Sequence, residues 1–224
     1  MKILIFDSGT LINLSMTGLL YVLEELKKSS QVRFAITLPV KYEVVDRPIG
    51  IPRFELGALR VQNLIDAQVL ELPEAFGIKE EKIKALTKDL VQAANSCIRI
   101  KGSWVSIVSE GEISCLALAK EMEAQGHETM IEIDERTTRI LAEKPENLEE
   151  IMSKKLHAHV KVDRKNLKVF EDFRFIRSTE IVFVAYKKNL LQVQWKKALE
   201  AALYATKYNG SSVSFEEIES MKKI

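Results

Sequence analysis

The chain has 224 residues, 46% of them hydrophobic, and its 33 Lys and Arg against 32 Asp and Glu leave a net charge of +1. That length holds one large domain with a buried core, and the near-neutral total leaves nucleic-acid binding to be decided by where the charges sit. Cys97 and Cys115 form no Cys-x-x-Cys or Cys/His set, which argues against structural zinc and for reduced, buried thiols, and no apolar run approaches a membrane span, so a soluble, cytoplasmic protein is expected.

Residues 2–6, Lys-Ile-Leu-Ile-Phe, are a short apolar run that stops abruptly at Asp7, the pattern of a buried parallel strand ending at a site. Ser8-Gly9-Thr10 make the turn, and Leu11 to Lys28 read as helix broken near Gly18, with Leu19, Leu20, Val22, Leu23 and Leu26 as its apolar stripe. Residues 32–36 predict a second strand. A helix from Pro39 carries Tyr42, Glu43, Val44 and Val45 and ends or bends at Pro48. Phe54 to Ile65 predict another helix, residues 69–72 a short edge strand, and Lys79 to Ala94 a further helix. Trp104 to Val108 is apolar and rich in strand formers. Glu110-Gly111-Glu112 lead into a helix through Met122 that Gly126 stops. Thr129 to Ile133 is a buried-type strand ending at Asp134 as the first ended at Asp7, and a helix follows through Ala142.

Residues 154–177 are rich in Lys and Arg, and the alternation of His157 to Val162 and of Leu167 to Phe170 around Arg164-Lys165-Asn166 predicts a hairpin. Phe173 to Ile176 predict one more strand, Ser178 or Thr179 a helix cap, and two helices close the chain, near Trp195 to Tyr208 and Phe215 to Lys222. Strands alternating with helices point to a parallel sheet covered on both faces, whose ligands sit beyond the carboxyl ends of the strands.

Each acid alone has an ordinary reading. Asp7 starts a turn, Glu43 lies on a solvated helix face, Glu112 favours the positive end of its helix, and Asp134 caps a turn. Their joint arrangement weighs more, because two acids end apolar strands and two sit early in helices that come after strands. Converging carboxylates repel: two unit charges 4 Å apart interact by ~4 kcal/mol at an effective dielectric near 20. A hard divalent cation relieves that repulsion, and such a site suits phosphodiester hydrolysis.

The segments around these acids resemble the four motifs of the PIN-domain nucleases. "IFDSGTLINL" is similar to the first, a strand ending in Asp and a hydroxyl residue; "VKYEVVDRP" to the second, a helix-borne Glu; "EGEISCLALA" to the third; and "IEIDERTTRILA" to the fourth. "FRFIRSTEIVFVAY" resembles the family's closing strand and helix. The resemblance implies a three-layer α/β/α PIN-like fold with a central parallel sheet. Residues 1–224 would form a single domain: a core at 1–143, a basic insertion at 144–172, and a closing strand with a helical C-terminal extension at 173–224. It implies a metal-dependent endoribonuclease in which Asp7, Glu43, Glu112 and Asp134 hold Mg²⁺ or Mn²⁺ to cut RNA. Ser8 would help hold water or phosphate and Glu135 would stand just outside the metal ligands, while Arg136, next along the chain, is placed to touch phosphate. Homodimers belong to the same implication. The chain is longer than the PIN toxins of toxin–antitoxin pairs, which sets an RNA-processing partner beside an antitoxin as the expected company.

Other chemistries fit less well. "FDSGTL" shares its Asp with the haloacid-dehalogenase-like phosphatases, but Gly9 stands where their general acid is needed. No GxxxxGK[ST] loop exists, and His127, His157 and His159 lack an identifiable third metal ligand. The alternative from a different class is a catalytically weak or silent PIN-like scaffold that binds RNA through residues 154–177, whose Lys and Arg would contact phosphates.

Overall fold

A computed structural model describes residues 1–224. The first apolar run forms β1 (Lys2–Phe6), followed by α1 (Ser8–Met16) and α2 (Tyr21–Lys28), with the break between the helices at Gly18, whose φ of +72° suits a residue without a β-carbon. Then come β2 (Arg33–Ala35), α3 (Leu38–Lys41), which continues as a π-helical turn over Tyr42–Asp46, α4 (Glu55–Asp66), and β3 (Leu70–Glu71). The middle of the chain holds α5 (Glu80–Asn95), β4 (Ile98–Ile100), β5 (Ser103–Trp104), α6 (Glu110–Ala124), β6 (Glu128–Glu132) and α7 (Arg136–Glu143). The rest comprises α8 (Leu148–Leu156), β7 (Val160–Val162), a 3₁₀ segment (Arg164–Phe170), β8 (Phe175–Ile176), α9 (Ser178–Lys187), α10 (Ala198–Tyr208) and α11 (Phe215–Met221).

Five strands form the central sheet in the order β3-β2-β1-β6-β8, and every neighbouring pair is parallel. Consecutive strand residues face opposite sides, yet Ile3, Leu4, Ile5 and Phe6 are all buried, so helices cover both faces in a three-layer α/β/α arrangement. The chain winds outward from β1 through β2 to β3 and then returns to the other side of β1. Strand order therefore reverses between β1 and β6, and the crevice beyond their carboxyl ends is where open sheets of this kind place their ligands. Phe6 stands opposite Glu132 in the register, which brings Asp7 and Asp134 to that same edge.

The second half departs from expectation in three places. No hairpin forms over 157–170. His157 closes α8 in the left-handed region, β7 pairs antiparallel with β4, and residues 164–170 coil into the 3₁₀ segment. The alternation at 157–162 was a true strand signal, but its partner lies some sixty residues upstream. The strand expected at 104–108 is reduced to Ser103–Trp104, the edge of a three-stranded sheet ordered β5-β4-β7. The cap of α9 is Arg177, whose backbone N–H donates to Glu180 at 2.9 Å, while Ser178 is turned to another task.

The insertion is no loose appendage, since Leu148, Met152, Val160, Leu167 and Phe170 join the main core. The positive charge of residues 154–177 is half neutralised: Lys154 pairs with Glu150, Lys155 with Glu135, Arg174 with Glu128, and Arg177 with Glu180 and Glu217. Lys161, Arg164, Lys165 and Lys168 remain exposed. The last two helices keep a small apolar cluster of their own, Leu203, Val213 and Ile218. No helix is long and apolar enough to cross a membrane, and both cysteines are free and buried.

Candidate functional site

Asp7 leaves the end of β1 and caps α1. Its Oδ2 accepts the Gly9 N–H at 3.1 Å, and its Oδ1 is buried with no hydrogen-bond partner. The residue is 3% exposed. Burial pushes its pKa up to about 7, and the charges of Glu112 and Glu43 push it the same way against the Gly9 and Ser8 amides. Ser8 is half-buried at the first position of α1.

Glu43 reaches the same place by an irregularity. The Arg47 N–H bonds to the Tyr42 carbonyl at 2.9 Å, five residues back, so the helix is locally widened into a π-turn that carries Glu43. The start of this helix is fastened to α6: the Thr37 hydroxyl lies 2.6 Å from the Ser114 hydroxyl, and Ser114 lies 2.6 Å from the Gly111 carbonyl. The Glu43 carboxylate then rests against Gly111 so closely that a β-carbon there would stand 3.0 Å from both of its oxygens. Gly111 and Glu112 lie in the first turn of α6, where unpaired backbone N–H groups and the helix dipole favour negative charge.

Glu112 is held from two sides. Its Oε2 accepts the Ser109 N–H at 3.2 Å, within a capping box, and the Thr138 hydroxyl at 2.6 Å. Burial still raises its pKa, with Glu135 and Glu43 adding to the rise. Cys115 lies one turn further along α6, and its sulfur is 3.6 Å from the Phe6 carbonyl. Burial first, and then the charges of Asp7, Glu112 and Glu43, push its thiol well above the ordinary range. Three acids predicted from the sequence are therefore brought together.

Asp134 reaches the same edge of the sheet but is already engaged. Its Oδ1 accepts both the Ser178 N–H at 3.0 Å and the Ser178 hydroxyl at 2.9 Å, and its Oδ2 accepts Asn13 Nδ2 at 2.9 Å. Asn13 also donates to Ser178 Oγ at 3.2 Å and to the Thr206 carbonyl at 2.9 Å, so one buried amide joins α1, β6, α9 and α10. Glu135 caps α7, accepting from Thr137 and Thr138, and pairs with Lys155 at 2.9 Å. Burial works to raise its pKa, and Lys155 and Thr137 outweigh it, leaving the carboxyl below its ordinary value. Arg136 is exposed beside it, and Arg139 is tied to Ser212 and Glu143.

Sequence reasoning missed Glu132. It is the last residue of β6, fully buried, and neither carboxylate oxygen has a hydrogen-bond partner. Burial drives its pKa well above the carboxylate range, and Asp134 and Asp7 add to that; the Thr10 hydroxyl opposes it. The signal was present as a Glu inside an apolar strand of a sheet expected to be covered on both faces, but only the acid after the strand was singled out.

As the side chains stand, no three His, Cys, Asp or Glu residues close into a group that could hold a metal ion. The donor set nevertheless suits a hard cation. Every candidate donor is a carboxylate oxygen, and Asp7 Oδ1 is buried without a donor of its own. Gly111→Ala probes this geometry. Alanine is the better helix former by about 1 kcal/mol, so the fold should hold, while the displaced Glu43 should weaken Mn²⁺ binding by about 10-fold or more in calorimetry. Unchanged affinity would remove Glu43 from the site. No protein-family model, curated protein or solved structure matches the chain.

Proposed function

We propose that this protein is a divalent-metal-dependent endoribonuclease of the PIN-like kind, hydrolysing RNA phosphodiester bonds at the reversal point of its parallel sheet. The observation that carries the reading is the convergence of Asp7, Glu43 and Glu112 there, with one oxygen of Asp7 buried and unpartnered. Asp7, Glu43 and Glu112 hold Mg²⁺ or Mn²⁺ in this reading, and Asp134 completes the set with the lone pair that Asn13 and Ser178 leave free. The cation, when bound, supplies charge stabilisation at the phosphoryl oxygens and an activated water. The chain's own residues do the positioning. Thr138 and Ser109 fix Glu112, the absence of a side chain at Gly111 admits Glu43, and Ser178 orients Asp134. Arg136, exposed at the start of α7, is the cation placed to meet a phosphate.

The test is cleavage of a fluorescently labelled structured RNA with Mn²⁺, with Mg²⁺ and with EDTA. Cutting that requires metal is the expected outcome. Cutting that persists in EDTA, or no cutting together with no Mn²⁺ binding by calorimetry, would sink the reading. One observation favours a second reading, a silent RNA-binding scaffold: three hydrogen bonds already occupy Asp134. In that case RNA affinity should survive EDTA unchanged. It should also fall, with a flatter salt dependence, when Lys161, Arg164 and Lys165 are changed together to Ala.

A further inference from the structure

A second feature lies at the other end of α9 from Asp134. Between Glu180 and Glu200 the chain has no acidic residue and four lysines, Lys187, Lys188, Lys196 and Lys197, in a protein whose total charge is only +1. None of the four is paired with a carboxylate side chain. Lys188 donates to the backbone oxygen of Ser29 at 3.3 Å, a contact that anchors the stem without neutralising the charge, and Lys187 donates to the main-chain oxygen of Ile224, the last residue, at 2.7 Å. Among them stands Trp195, 80% exposed, with Val193 57% exposed beside it. Two adjoining hollows, of about 430 and 360 Å³, are both lined by Val193, Trp195 and Lys196; Tyr186 and Leu191 complete the first. No residue of the carboxylate cluster lines either hollow.

An indole left in water beside uncompensated ammonium groups is costly for a fold to maintain, and its chemistry selects the partner. An apolar protein surface would satisfy the tryptophan but leave the ammonium groups of Lys188, Lys196 and Lys197 to be desolvated. A polyanion without exposed π-faces, such as a duplex, would satisfy the cations but leave the tryptophan bare. An unpaired nucleic-acid strand offers both a phosphate for each lysine and a base for the indole. The hollows have room for a base, and Gln194 and Asn189 add neutral donors and acceptors at the rim of the first.

We propose that residues 186–198 form a binding site for single-stranded nucleic acid, with a base stacked on Trp195 and the backbone held by Lys187, Lys188, Lys196 and Lys197. That the strand is RNA rests on the nuclease reading above; the site itself does not. The segment is separated from the carboxylates by the length of α9, ten residues or about 15 Å. Since α10 returns to the carboxylate end through Thr206, the site grips a strand at a distance from where it would be cut.

The experiment uses the full-length Asp7→Asn protein in EDTA, so that no cleavage and no metal enters the measurement. Tryptophan quenching and anisotropy are read with labelled 12-mers of oligo-U, oligo-dT and an RNA duplex. Trp195→Ala should weaken single-strand binding by about 5- to 150-fold, the range of one base–aromatic stack. Changing the four lysines to Gln should lower the slope of log affinity against log salt by about 3, at ~0.7 per phosphate on a single strand. Matching circular-dichroism melts establish that both variants fold. Single-strand affinity and slope unchanged in both variants would overturn the site, whatever the cleavage assay shows. So would a duplex bound as tightly as the single strands. A third overturning result is no oligonucleotide binding together with a concentration-dependent dimer that Trp195→Ala abolishes, which would make the patch a contact between two copies of the chain.

Discussion

Asp7→Asn should abolish metal-dependent RNA cleavage and, in EDTA, make the protein more stable. The loss of activity should exceed about 100-fold, the upper end of what removing a metal ligand's supporting partner costs. The gain in stability comes from the buried carboxyl. The folded chain keeps the Asp7 proton up to about pH 7, whereas the unfolded chain releases it near its ordinary value of 3.8. Between those values the folded state binds more protons, so stability falls as pH rises, by on the order of 4 kcal/mol in all. Asparagine caps α1 as well as aspartate does and carries no charge to bury. At pH 8 in EDTA the variant should therefore melt higher than wild type by about 8–16 °C, and at pH 4 the two should nearly coincide. Added Mn²⁺ should raise the wild-type melting temperature and leave the variant unmoved. A variant that melts below wild type at pH 8 without metal would show that Asp7 is not a charge the fold must bear.

Asn13→Ala should cost about 1–3 kcal/mol, the usual penalty for leaving buried acceptors short of a donor, since Ser178 still holds Asp134. Asn13 Nδ2 donates to Asp134, Ser178 and Thr206, and no other side chain stands ready to take its place. The melting temperature should fall by about 2–12 °C. The loss should not be spread evenly. The apolar cluster between α10 and α11 stands apart from the main core, so the polar ties through Asn13 and Arg177 add to the packing of α10 on α9 in holding that pair in place. Limited proteolysis should then cut between Lys187 and Ala198 faster in the variant than in wild type. A cost under about 1 kcal/mol, with proteolysis unchanged, would mean that the carbonyl of Thr206 and the carboxylate of Asp134 are satisfied by water instead.

How much was legible in the sequence depends on the reach of each signal. Strands β1 and β6 and the acids after them were readable because an apolar run that stops at a carboxylate is a local event. The sheet class came from alternation of elements, and α6 with its early acids from spacing alone. Pairing between distant segments was not readable. β7 alternates visibly, but β4, which completes it, is three residues long and has no turn in common with it. The commitments of Asp134 were hidden for the same reason, since Asn13 is 121 residues away and Ser178 is 44. Glu132 was passed over because an acid inside a strand, unlike one that ends it, breaks no run and so marks no boundary. The widening of the helix at Tyr42–Asp46 has no compositional mark, so the sequence offered Glu43 as a helix residue without the direction of its side chain.

That widening has a consequence for descent. A π-turn amounts to one residue more than an α-helix of the same span requires. Losing a single codon between Tyr42 and Asp46 would let the segment relax into ordinary helix and rotate its downstream half against its upstream half by about 100°. Either Glu43 or the apolar pair Val44 and Val45 would then face the wrong way. Point changes can tune this acid, but a one-residue deletion erases it at a stroke. On the nuclease reading, a lineage that keeps Glu43 at the site must keep its length here, and one that has lost the codon has a route to a silent fold.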